Sequence, residues 1–151
     1  MIQNPSKFNI RVYGLLFNDN GDILVSDEQR FGKNFTKFPG GGLEFGESVL
    51  DCLLREYVEE LHQEIEIVEH FYTTDFYQQS AFDKNDQLIS IYYVVKAIGD
   101  IRFSISTTPF DGTHNERQSF RFIPIKNLSE NNFTFPIDKH VSGLIKDTFE
   151  K

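Results

Sequence analysis

The chain has 151 residues, with 15 lysines and arginines against 23 aspartates and glutamates, for a formal net charge of −8. That length suits one globular domain over residues 1–151, and 16 Phe and 6 Tyr supply enough apolar material to exclude a wholly disordered chain. The acidity disfavours nucleic-acid polymers and anionic membranes, and it raises a problem for any phosphate ligand, which such a chain repels unless the charge is reversed locally.

In chain order, Phe8 to Phe17 is β-rich and partly alternating, which predicts a strand. Asn18-Asp19-Asn20-Gly21 predicts a hairpin turn, and Asp22 to Ser26 the returning strand. Phe31 to Phe38 reads as an irregular or extended approach to the cluster Pro39-Gly40-Gly41-Gly42. A helix is predicted from Glu47 or Ser48 to Leu61, with Ser48 able to cap its start. Glu64 to Gln79 predicts one or two strands, Phe82 to Gln87 a turn, and Leu88 to Ile98 a strand buried on both faces. Asp100 to Ser106 and Arg117 to Ile125 read as further strands, Ile125 to Glu130 as a short helical turn, and Asp138 to Phe149 as a C-terminal helix. Strands on both sides of one long helix, with a second helix at the end, predict an α+β chain: a mixed β-sheet sandwiched between helices.

The chemistry concentrates in Gly41 to Gln63. Advancing about 100° per residue from Glu56, Glu59 falls near −60° and Glu60 near +40°. The three carboxylates share one stripe. Leu50, Leu54, Tyr57 and Leu61 fall between about 100° and 160°, which predicts an apolar face turned to the core and a carboxylate face turned elsewhere. Like charges packed this way repel, and a hard divalent cation relieves them. The plainer reading of the helix alone is a solvated acidic face. Likewise, the glycines permit close backbone approach of a ligand or simply make a turn.

Their joint spacing is more specific. Gly41, five residues, Glu47, seven residues, Arg55-Glu56 and then Glu59-Glu60 resembles the signature of the Nudix hydrolase (MutT-like) family, and Phe38-Pro39-Gly40-Gly41 is similar to the aromatic-Pro-Gly-Gly stretch that precedes it. A weaker resemblance lies in Glu116, Arg121-Phe122-Ile123-Pro124 and Leu128. The chain departs from the signature at His62 and Gln63, where the family has a glycine and an apolar residue. That departure predicts an altered helix exit and leaves the carboxylates untouched.

The resemblance implies the Nudix fold and a pyrophosphohydrolase that cleaves a diphosphate linkage in a nucleoside diphosphate derivative, using Mg²⁺, or Mn²⁺ in its place. It implies that Glu56, Glu59 and Glu60 bind metal, with backbone at Gly40 and Gly41 as further oxygen ligands. It implies that Glu47 and Arg55 organise the loop and helix, and that the general base is Glu60 or Glu116. The alternative is a non-catalytic Nudix-fold protein that binds or senses a nucleotide, a reading to which His62 and Gln63 lend some support. A homodimer is consistent with the resemblance and with exposed strand edges.

Other residues carry less. Cys52 is expected to be a buried structural thiol, with no histidine placed to activate it. The histidines lack metal-ligand spacing, His114 beside Glu116 being the one worth testing. Phe31 and Tyr77 are the aromatics expected to stack a base or wall a pocket. The N-terminus lacks the pattern of a secretory signal, and no apolar run approaches the roughly 20 residues that span a bilayer, so a cytoplasmic protein is expected.

Overall fold

Alternation along the strands decides which layer each residue serves. In the computed structural model, which describes residues 4–111 and 118–150, β1 (Lys7–Leu16) sends Val12 and Leu16 to one face and Tyr13 and Leu15 to the other. The first pair packs under helix α1 (Val49–Leu61), with Cys52, Leu53, Tyr57 and Leu61. The second packs under helix α2 (Pro136–Phe149), with Ile137, Val141 and Ile145. Two apolar cores on opposite faces of the strands therefore hold the helices apart, and the sandwich of helices around a mixed sheet is present.

The mixed sheet has the order β4-β1-β6-β5, where β4 is Gly40–Gly42, β5 Ile65–Thr73 and β6 Asp86–Ala97. β1 and β6 run parallel over ten residue pairs, while β4 and β5 flank them antiparallel. A second, antiparallel sheet has the order β3-β2-β7, with β2 at Ile23–Arg30, β3 at Lys33–Lys37 and β7 at Gln118–Ile123. Short 3-10 turns at Ile125–Asn127 and Glu130–Asn132 lead into α2.

In the course and facing of its elements, the structure departs from the sequence expectations in four places. β2 runs on to Arg30, because Asp27 and Glu28 are buried with partners instead of solvated in a loop. The segment read as irregular is strand β3, turned back on β2 at Phe31-Gly32, both with positive φ (55° and 71°), as a tight two-residue hairpin requires. Asp100 to Ser106 forms only an isolated bridge from Ile105 to Phe120. Most consequentially, Leu50 and Leu54 are not on the core face of α1. Both are exposed, and the inward face is Cys52, Leu53, Tyr57 and Leu61. On the same wheel those residues centre at about +65°, close to Glu60 and with Glu56 inside their span. Glu56 and Glu60 are therefore partly buried at the packed face, while Glu59 stays exposed.

Candidate active site

Two glycines let α1 settle this close to the strands. A Cβ on Gly14 would lie 2.6 Å from the Tyr57 hydroxyl, which donates to the Gly14 carbonyl at 3.1 Å. A Cβ on Gly41 would lie 2.5 Å from the Glu56 carboxylate, so the glycine opens the space that carboxylate fills. Gly40, at φ +150°, runs against the β1 backbone at Val12, where any side chain collides.

Arg55 gathers the acids. Its Nε and Nη2 donate to the two oxygens of Glu47 at 2.9 and 2.7 Å, a bidentate pair that ties the loop to the helix. Nη1 donates to Glu56 and Glu59, both at 3.1 Å, and Nη2 also reaches the Gly42 carbonyl at 3.1 Å. Hydrogen bonding to Arg55 pulls the Glu47 pKa down to about 2, and the same contacts keep Arg55 protonated. Glu47 further accepts the Glu44 backbone N–H at 2.9 Å, and Ser48 caps α1 by accepting from Asp51 at 3.0 Å.

Glu60 differs from its neighbours. Burial raises its pKa, Lys37 opposes that rise, and Glu28 and Glu56 reinforce it. The Gln118 amide is 3.4 Å from Glu60 and 3.2 Å from Glu28, bridging two carboxylates that repel each other. Lys37 lies on the other side, buried, 3.0 Å from Glu28 and donating to the Gly40 carbonyl at 3.2 Å. Burial lowers the Lys37 pKa, but Glu28 and Glu60 outweigh it and the net direction is upward. Glu28 and Lys37 also line a cavity of about 290 Å³, so the carboxylate cluster and the cavity share a boundary.

The donors are hard carboxylate oxygens, and one of them is desolvated among like charges. That set fits a divalent cation such as Mg²⁺. In this arrangement, no three His, Cys, Asp or Glu side chains among the described residues converge closely enough to hold an ion. Arg55 is the group that neutralises Glu56 and Glu59 instead.

Of the other expected residues, Phe31 lines the cavity, while Tyr77 is exposed and outside its lining. Glu116 and His114 lie outside the described residues. Cys52 is buried, its thiol pushed up to about 12 mainly by burial, as a structural cysteine requires. The altered helix exit is not found. His62 itself adopts the left-handed cap (φ 54°), its N–H donating to the Val58 carbonyl at 3.0 Å and the Gln63 N–H to that of Tyr57 at 3.3 Å. Gln63 is fully buried, its amide donating to the carbonyls of Glu64 and Ile98 and accepting the Arg102 N–H. Sequence reasoning missed Glu28, Lys37 and Gln118. A charged pair nine residues apart carries no local pattern until the β2–β3 hairpin registers it.

Among curated proteins, none matches the chain significantly. Solved structures match in fold. A MutT from Methanosarcina mazei Go1 superposes with a TM-score of 0.71 at 17% identity, covering 100% of both chains. A MutT from work on Aliivibrio salmonicida and Vibrio cholerae gives 0.65 at 24% identity, covering 94% of this chain and 99% of that one. An ADP-ribose pyrophosphatase from Streptococcus suis gives 0.61 at 14%, covering 95% and 92%. The NUDIX domain family model matches residues 7–141, nearly the whole chain. By that match, and with Arg55, Glu56 and Glu59 brought together on α1, the chain belongs to the NUDIX family of pyrophosphohydrolases.

Proposed function

We propose that the protein hydrolyses a diphosphate linkage in a nucleoside diphosphate derivative, using Mg²⁺ or Mn²⁺. The observation that carries this reading is the partly desolvated Glu60 of α1, joined through the Gln118 amide to Glu28, which does line the cavity. Glu56, Glu59 and Glu60 would hold the metal, with the Gly40 or Gly41 carbonyl as a neighbouring oxygen. When bound, the metal supplies charge stabilisation at the phosphoryl oxygens and acidifies water.

The chain's own residues do the rest. Arg55 and Glu47 fix the helix start, so that Glu56 and Glu59 are presented together. Glu60, beside Gln118 and Glu28, would take the proton of an attacking water. Glu116 is the other base by resemblance. The phenylalanines of the cavity take the base, with Phe31 at the rim.

The test is a substrate panel with Mg²⁺: ADP-ribose, nucleotide sugars, dinucleoside polyphosphates and nucleoside triphosphates. Turnover of at least one, lost together with metal binding in Glu59→Gln plus Glu60→Gln, supports the reading. No turnover of any compound, with metal binding unchanged in that variant, sinks it.

A further inference from the structure

Three cations line the cavity next to the carboxylate helix: Arg11, Arg30 and Lys37. Two are occupied. Arg30 lies 3.1 Å from one oxygen of Glu28, and Lys37 lies 3.0 Å from the other. Arg11 has no ion pair among the described residues. Its Nε donates to the Tyr13 hydroxyl at 2.6 Å, and its guanidinium carbon sits 5.7 Å from the centre of the Tyr13 ring. Nothing among the described residues accepts from Nη1 or Nη2.

A half-buried guanidinium held in place at one nitrogen, with no carboxylate in direct contact, leaves two nitrogens for a ligand to complete. Its position says which ligand. On one side is strand β4, across from Arg11 in the sheet: Nη1 would be 3.5 Å from a Cβ on Gly42, and the charge of Glu56 on α1 bears on Arg11. On the other side the cavity is walled by Phe35, Phe82 and Phe135, whose rings contact one another at 5.3 to 5.5 Å. An aromatic wall at one end and a planar fork without a direct ion pair near the carboxylates fit a molecule with a flat base at one end and phosphate at the other.

We propose that Arg11 is the anion receptor of this cavity, with Nη1 and Nη2 holding a pair of phosphate oxygens of a nucleoside diphosphate while its base packs against the phenylalanine wall. The fork of an arginine matches that oxygen pair, and a lysine offers only a point charge. The proposal rests on the hydrolase reading for its ligand class, but its test does not need hydrolysis.

The experiment is calorimetric titration in EDTA of the wild type, Arg11→Gln and Arg11→Lys. The probes are ADP, GDP, adenosine and guanosine. The expected result is that Arg11→Gln weakens diphosphate binding about 10- to 100-fold and leaves nucleoside binding unchanged, with Arg11→Lys recovering only part of the loss. Thermal midpoints are measured alongside. Where Arg11→Gln does not fold, the diphosphate-selective loss in Arg11→Lys decides. Equal losses for nucleoside and diphosphate, no loss in either variant, or no diphosphate binding by the wild type overturns the proposal. If Arg11 instead only balances Glu56 and Glu28, metal affinity changes while binding in EDTA does not. Should the substrate panel fail and this binding persist, the receptor stands and the hydrolase falls.

Discussion

At the scale of single residues, glycine decides where the acids can go. Gly41 is the clearest case, because the space a Cβ would take is filled by the Glu56 carboxylate at 2.5 Å. Gly41→Ala forces that carboxylate aside, and with it the contact to Arg55. We expect activity to fall about 10- to 100-fold, the range seen when groups orienting metal ligands are lost, with the fold intact by circular dichroism. His62 shows the opposite economy. An L-residue in the left-handed region is strained by about 1–2 kcal/mol, whereas glycine is not, though glycine gives back some of that through chain entropy. His62→Gly is therefore expected to stabilise the protein by about 0.5–1 kcal/mol, read by urea denaturation. A fall in stability would mean that the His62 side chain makes up for its backbone.

At the scale of elements, legibility followed the kind of signal each element carries. The helix bounds, its Ser48 cap and the parallel core strand were readable, because capping and long apolar runs are local. The outer half of β2 was not, because Asp27 and Glu28 look like loop residues. Their burial rests on Arg121, at 2.7 Å from Asp27, and on Lys37, both distant or across a turn. The face of α1 was misread for a related reason. A hydrophobicity wheel places leucines inward, but Leu50 and Leu54 are exposed so that Glu56 and Glu60 can face the strands. Function overrode the apolar pattern at the place where the signature residues lie. The carboxylates themselves were legible from spacing. The Glu28–Lys37–Gln118 surround was not, since it depends on three strands meeting in register.

At the scale of the whole molecule, a buried acid links α2 to the mixed sheet. Asp138, in the first turn of α2, accepts the Tyr92 hydroxyl of β6 at 2.7 Å, and burial raises its pKa to about 6. An acid whose folded pKa is raised binds more protons folded than unfolded between the two values. Stability is thus highest below about pH 4 as far as this group is concerned, falls as pH rises toward 6, and is flat above it. The two-unit displacement corresponds to about 3 kcal/mol. Asp138→Asn keeps an acceptor for Tyr92 and removes the proton, so the decline between pH 4 and 6 is expected to vanish from its stability profile. A decline of unchanged size in the variant would place its origin elsewhere.

The chain's one cysteine lies on the inward face of α1, fully buried among Leu53, Tyr57 and the strand residues, with its thiol disfavoured from ionising. An alkylating reagent in solution cannot reach it while the helix is seated. The rate of Cys52 labelling therefore becomes a clock for the lifting of α1, and any ligand that fastens the carboxylate helix to the sheet should slow that clock without a probe having to be engineered in.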